Sequence, residues 1–151
     1  GLRQEFDEAA RWVASDALDF SKVGAVSVFE TTIRALGGLL GAHALTGRQI
    51  FVQKATELGN RLLPAFGTPT GLPRPWLELR NGKVPPKKER TTIAEAGSLQ
   101  LEFARLSDVS GDERFREAAS KAHDFFHKAF LKSGPDPKGA ILPVTVDTNT
   151  G

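Results

Sequence analysis

The fold is decided by a stretch that the chain carries twice, first as Leu45-Thr46-Gly47-Arg48-Gln49-Ile50-Phe51-Val52-Gln53-Lys54-Ala55 and again as Val109-Ser110-Gly111-Asp112-Glu113-Arg114-Phe115-Arg116-Glu117-Ala118-Ala119. In both copies a Thr-Gly or Ser-Gly turn is followed by Phe and Ala at positions that share one face of a helix. A short turn between two helices is typical of an αα-hairpin. The repeat therefore predicts two such hairpins, each with an amphipathic second helix.

Hydrophobic periodicity and stop signals extend this pattern to five predicted helices. They span residues 2–18, 27–45, 48–66, 91–106 (starting at Thr91 or Thr92) and 112–131. The Pro- and Gly-rich segment 67–90 is predicted to be neither helix nor central strand, and residues 141–146 to be an extended tail.

The two helices of each hairpin differ in composition. The first is small and apolar, whereas the second carries Lys, Arg and Glu on one side. This difference predicts an all-α fold with an inner and an outer ring of helices, an αα-toroid. Hairpin repeats bury their faces against neighbouring repeats, and two hairpins do not close a ring. We therefore expect residues 1–151 to be one partial domain of a larger toroid, with no complete second domain.

The composition excludes several classes of function. Lys and Arg number 20 against 18 Asp and Glu, a net charge of +2 that favours neither nucleic acid nor a membrane surface as a partner. The absence of Cys excludes disulfides, thiol catalysis and Cys-ligated zinc. No apolar run is long enough to span a bilayer.

Acidic residues on the first helix of each hairpin are the candidates for chemistry. Residues 26–43 are apolar or small almost all round the helix, yet they include Glu30 and Arg34 at i, i+4. Such a helix is normally buried, so the charges form either a structural ion pair or part of a working site. Glu95 and Glu102 lie seven residues apart and share a helix face. Hydrolysis of a sugar linkage uses a pair of carboxyl groups, one protonated and one ionised.

The same residues also have ordinary structural explanations. Glu30–Arg34 and Glu102–Arg105 fit intrahelical ion pairs, and Thr92 with Glu95 fits a capping box. Spacing alone favours these explanations over a catalytic role.

Three other residues leave alternatives open. Trp76 in the Pro-rich segment either stacks on a sugar ring or anchors that segment. His123 and His127 have the spacing of a zinc-binding pair, but a surface or interhelical pair explains them better.

Several blocks of the sequence, in order, resemble the class I α-1,2-mannosidases, glycoside hydrolase family 47. One block is Ser-Val-Phe-Glu-Thr-Thr-Ile-Arg at 27–34 with Leu-Gly-Gly-Leu-Leu at 36–40. The others lie at 5–9, 54–69, 94–103 and 106–111, so the resemblance covers essentially the whole chain.

The resemblance implies a fold, an activity and a set of site residues. The implied fold is part of an (αα)7 barrel. The implied activity is the inverting, calcium-dependent hydrolysis of terminal α-1,2-linked mannose from high-mannose N-glycans in the secretory pathway (endoplasmic reticulum or Golgi) or outside the cell. By the resemblance Glu30 is the catalytic acid, acting through a water. Arg34 contacts the sugar or orients the acid, and Glu95 and Glu102 bind substrate hydroxyls.

The resemblance also implies what these 151 residues lack. The family's other catalytic carboxylates, its calcium-holding threonine and the hairpin that plugs its barrel lie later in the polypeptide. We therefore expect this chain alone to be inactive and to hold no metal, and expect its partner to be the remaining C-terminal segment, as a second chain or as omitted sequence. The alternative function is a mannosidase-like glycan-binding protein of glycoprotein quality control with little hydrolysis. An αα-toroid with another glycosidase activity is a weaker third option.

Overall fold

The structure, a computed structural model, describes residues 1–85, 89–131 and 143–151. Its helices form two hairpins preceded by one further helix. The α-helices are α1 (Arg3–Ala14), α2 (Val28–Glu30), α3 (Gly37–Thr46), α4 (Gln49–Leu62), α5 (Ile93–Ser98), α6 (Gln100–Ser110) and α7 (Arg114–Phe126). Short turns of other geometry are the 3₁₀ turns Phe20–Lys22 and Leu63–Phe66 and the π-helical turns Thr31–Leu36 and His127–Leu131.

We call residues 28–46 and 93–110 the leading helices of hairpins 1 and 2, and α4 and α7 their trailing helices. The two leading helices end in the same way. Gly47 and Gly111 have φ values of +68° and +74°, and their N–H groups donate to His43 O and Ser107 O, both at 2.8 Å. A left-handed residue of this kind ends a helix and strongly favours glycine. The predicted pair of αα-hairpins is therefore confirmed.

The trailing helices bury one face each, as their amphipathic patterns predict. The buried positions of α4 are Phe51, Val52, Ala55, Leu58, Gly59 and Leu62, and those of α7 are Phe115, Ala118, Ala119 and Ala122. Phe103 on α6 lies at the centre of the core. Its ring centroid is 5.0 Å from that of Phe66 and 6.2 Å from that of Phe115.

Short antiparallel strands precede both leading helices. β1 (Ala25–Ser27) pairs with β2 (Trp76–Glu78), and β3 (Arg90–Thr92) pairs with β4 (Thr145–Asp147). Beyond each pair, the first residue of the helix donates its N–H to the returning chain: Val28 to Pro75 O at 2.9 Å and Ile93 to Val144 O at 3.1 Å. The repeat is thus a strand, two helices and a returning strand.

These strands refine the sequence predictions. Segment 67–90 contains β2, which belongs to a two-stranded sheet and is not a central strand. Trp76 lies in β2 opposite Ser27, so it helps to anchor this segment. The predicted tail is extended at β4, while Ile141 and Leu142 lie outside the described residues.

The predicted first helix was too long. The observed helix ends at Ala14 because the Ser15 side chain takes backbone hydrogen bonds that a further helical turn would need. Ser15 Oγ donates to Trp12 O at 2.7 Å and accepts the N–H of Ala17 at 3.2 Å. The predicted fourth helix begins at Ile93 and continues to Ser110. Within the described residues, no helix has both the length and the apolar character needed to cross a membrane.

Gly59 offers a test of how closely the hairpins pack. A Cβ at this position would overlap Leu106 Cδ2 and lie 2.9 Å from Phe115 Cε1. Both side chains are fully buried and have no room to move away. Gly59→Ala should therefore destabilise the complete protein by about 1–3 kcal/mol, measured by urea unfolding.

The matched control is Gln53→Ala on the exposed side of the same helix, which should change stability by less than about 0.5 kcal/mol. Equal stability of the Gly59→Ala variant and the wild type would contradict the close approach of α4 to α6 and α7.

Candidate active site

The start of the first leading helix fixes the backbone around Glu30. Ser27 is the N-cap, and its Oγ accepts the N–H of Glu30 at 3.3 Å. Val28 is held by its hydrogen bond to Pro75 O and is only 1% exposed. Glu30 therefore lies in the first turn of a helix whose entry is set by the β1–β2 pair.

Glu30 and Arg34 form the predicted ion pair. Arg34 Nε donates to Glu30 Oε2 along the helix. The expectation of burial, however, was wrong for both residues. Their side chains are 47% and 75% exposed, respectively, because the described part of the chain packs on the opposite side of this helix and leaves their face open. Within the described part of the chain, the pair is therefore open on one side.

The helix between these two residues is not a regular α-helix. Residues Thr31–Leu36 form a π-helical turn, and the N–H of Gly37 donates to Thr32 O and Arg34 O. Inside the turn Thr32 is fully buried, and its Oγ1 donates to Val28 O at 2.8 Å. π-helical turns are rare and are frequent at functional sites. Sequence analysis missed this turn, and no local signal distinguishes it from an α-helical turn.

Glu95 occupies the corresponding position of the second leading helix, three residues after the N-cap Thr92. Its N–H donates to Thr92 Oγ1 at 3.0 Å, and its Oε2 accepts the N–H of Thr92 at 3.3 Å. The predicted capping box is therefore present. Four residues after Glu95, at the position of Arg34 in hairpin 1, this helix has Leu99, which cannot pair with a carboxylate. The Glu95 carboxylate instead accepts the backbone N–H of Thr92. Its side chain is half-buried.

Glu102 connects the two leading helices. A Cβ on Gly37 would lie 3.6 Å from both Cγ and Oε1 of Glu102, so this side chain packs directly against the helix that carries Glu30. Its Oε2 is buried and has no hydrogen-bond partner among the described residues. The ion pair considered with Arg105 does not occur among the described ion pairs. The structure thus brings Glu102 to the helix of Glu30 and Arg34.

Two further carboxylates, Glu78 and Asp147, are the last residues of β2 and β4, and each begins an equivalent turn. A hydrogen bond from Arg80 lowers the pKa of Glu78, and the backbone N–H groups of Asn149 and Thr150 lower the pKa of Asp147. In each turn a glycine of positive φ closes the chain, with Gly82 N donating to Glu78 O at 2.8 Å and Gly151 N to Asp147 O at 2.9 Å. These carboxylates stabilise turns and are not candidates for catalysis.

The part of the chain that the structure describes contains no group of three or more His, Cys, Asp and Glu residues arranged to hold a metal ion. The described residues therefore provide no carboxylate cluster of the kind that many calcium sites use. His123 and His127 are both exposed on the last helical segment and belong to no such group.

Comparisons with known proteins agree with this architecture. A family model described as glycosyl hydrolase family 47 matches residues 1–151. The chain is 42% identical to the human endoplasmic reticulum mannosyl-oligosaccharide 1,2-alpha-mannosidase over 153 residues, which cover 100% of this chain and 21% of the relative. It is 39% identical to the mannosyl-oligosaccharide 1,2-alpha-mannosidase MNS1 of Arabidopsis thaliana over 151 residues, 97% of this chain and 26% of the relative.

The structure is also similar to the solved alpha-1,2-mannosidase from Trichoderma reesei. The TM-score is 0.78 at 29% identity, covering 96% of this chain and 32% of that chain. This similarity confirms the predicted fold class, αα-hairpin repeats that form part of an (αα)7 barrel. The chain spans about a fifth of the length of the human relative. The match over all 151 residues shows that the chain belongs to glycosyl hydrolase family 47.

Proposed function

We propose that the complete protein is an inverting α-1,2-mannosidase that hydrolyses terminal α-1,2-linked mannose from high-mannose N-glycans. The observation that carries the proposal is the family match over the whole chain, together with relatives that are named mannosyl-oligosaccharide 1,2-alpha-mannosidases. The exposed Glu30–Arg34 pair supports it, because an acid must reach the glycosidic oxygen of its substrate.

In this proposal Glu30 donates the proton to the leaving oxygen, through a water. Arg34 holds the Glu30 carboxyl in one orientation by their hydrogen bond and contacts the sugar. Glu95 and Glu102 bind substrate hydroxyls. The buried Oε2 of Glu102, which lacks a partner among the described residues, supports a role in accepting a hydrogen bond from a ligand. An inverting enzyme also needs a base about 6.5–9.5 Å from the acid, which we assign to residues outside this chain.

We further propose that the activity depends on calcium held by residues outside these 151 positions, and that the remaining C-terminal segment completes the barrel. The protein would act in the secretory pathway, in agreement with the named location of the human relative.

The test compares mannobioses with α-1,2, α-1,3 and α-1,6 linkages and a high-mannose oligosaccharide as substrates of the complete protein. Mannose should be released from α-1,2 linkages alone, and NMR should detect the β-anomer first. Chelation should stop the reaction, and added calcium should restore it. Glycan binding without release would favour the glycan-binding alternative, and release from α-1,3 or α-1,6 linkages would identify another glycosidase.

A further inference from the structure

The π-helical turn Thr31–Leu36 is a feature that the proposed roles of Glu30 and Arg34 do not explain. A π turn adds one residue to the helical repeat and is less favourable than an α turn, so it needs specific stabilising contacts. Here it begins directly after Glu30 and includes Arg34. Its geometry therefore determines how the carboxylate and the guanidinium are presented to each other.

The Thr32 hydroxyl makes a buried hydrogen bond at the start of this turn. Thr32 is fully buried, and its Oγ1 donates at 2.8 Å to Val28 O, the acceptor that the amide of residue 32 takes in an uninterrupted α-helix. Val28 O also accepts the N–H of Thr31, and Val28 N is bound to Pro75 O. Glu30 thus lies between two residues, Val28 and Thr32, that are both anchored and buried.

The adjacent threonine, Thr31, differs from Thr32 in both burial and hydrogen bonding. Thr31 lies in the same turn but is only half-buried, and its hydroxyl has no hydrogen bond among the described residues. The chain therefore provides a matched pair of threonines, one whose hydroxyl is buried and hydrogen-bonded within the turn and one whose hydroxyl is not.

We propose that Thr32 is a positioning residue for the catalytic acid: its buried hydroxyl holds the π turn that sets the Glu30 carboxyl against Arg34. The proposal rests on the proposed function, because it requires Glu30 to take part in turnover. Thr32 acts through the orientation of Glu30 and touches neither substrate nor solvent. Loss of its hydroxyl should lower turnover and leave substrate binding almost unchanged.

The test uses Thr32→Val in the complete protein, with a high-mannose oligosaccharide as substrate. Valine keeps the size and branching of threonine and removes only the hydroxyl. We expect kcat to fall about 10- to 100-fold, because small misplacements of a catalytic group cost rates of this size. KM should change by less than about threefold. Thr32→Ser, which restores the hydroxyl, should recover kcat to within about threefold, and Thr31→Val should match the wild type within about twofold.

Two further measurements separate positioning from a general loss of structure. Thr32→Ala also lacks the hydroxyl and cannot crowd the core, so its kcat per folded enzyme should fall as in Thr32→Val. In a Glu30→Gln background, Thr32→Val should change the Kd for the oligosaccharide by less than about threefold, since the acid that Thr32 positions is already absent.

Wild-type kcat per folded Thr32→Val or Thr32→Ala enzyme would overturn the proposal, as would an equal loss in Thr31→Val. So would a large loss of oligosaccharide binding in the Glu30→Gln background. These outcomes differ from failure of the proposed function, in which Glu30→Gln itself retains full turnover.

Discussion

A Glu30→Gln variant of the complete protein should release mannose from a high-mannose oligosaccharide about 10²- to 10⁴-fold more slowly than the wild type. Glutamine keeps the size of the side chain and can still contact Arg34, but it cannot donate a proton to the leaving oxygen. The loss should therefore appear in kcat, with KM nearly unchanged. Initial rates over a range of substrate concentrations measure both constants.

The matched control is Glu57→Gln. Glu57 also forms an ion pair with an arginine at i, i+4, Arg61, at 3.6 Å, but this pair lies on the trailing helix α4. The control removes the same charge from a carboxylate that pairs with Lys54 as well as Arg61, and it should leave kcat within about twofold of the wild type. Near wild-type mannose release by Glu30→Gln would refute the assignment of Glu30 as the acid.

The hairpins could be predicted because their signals are local. Gly47 and Gly111 each end a helix through a left-handed conformation, and the Phe and Ala positions that follow lie on the buried faces of α4 and α7. The four strands could not be predicted in the same way. Each has three residues, too few for an alternating pattern, although Asn81-Gly82 does signal the turn after β2.

The candidate site could be predicted only in part. The i, i+4 spacing predicted the Glu30–Arg34 pair, and Thr-x-x-Glu predicted the capping box at Thr92 and Glu95. Burial of the first leading helix was inferred from composition, but composition does not determine which face a particular chain covers. In the π turn the Thr32 hydroxyl donates to Val28 O, and Val28 itself is held by Pro75 nearly fifty positions later. The contact of Glu102 with Gly37 depends on packing between two hairpins. Neither has a signal within a single segment.

The largest stability effect should come from Phe103→Ala. Phe103 is fully buried on α6 and packs edge-on against Phe66, in the 3₁₀ turn that follows α4, and against Phe115 on α7. Removing the ring takes away its transfer free energy and both aromatic contacts and leaves a cavity between three helices. We expect the free energy of unfolding of the complete protein to fall by about 3–5 kcal/mol, measured as a lower urea midpoint at unchanged slope.

The graded control is Phe103→Leu, which fills most of the same volume and should lose less than the alanine variant, since volume-conserving apolar exchanges in a core cost less than about 1.5 kcal/mol. A free energy of unfolding that falls from the wild type to Phe103→Leu and then to Phe103→Ala indicates a packing role for Phe103. An effect of helix propensity would instead favour alanine on α6. An alanine variant as stable as the wild type would mean that the three rings do not form the centre at which the hairpins meet. The spacing of the two leading helices, on which the contact between Glu102 and Gly37 depends, would then need another explanation.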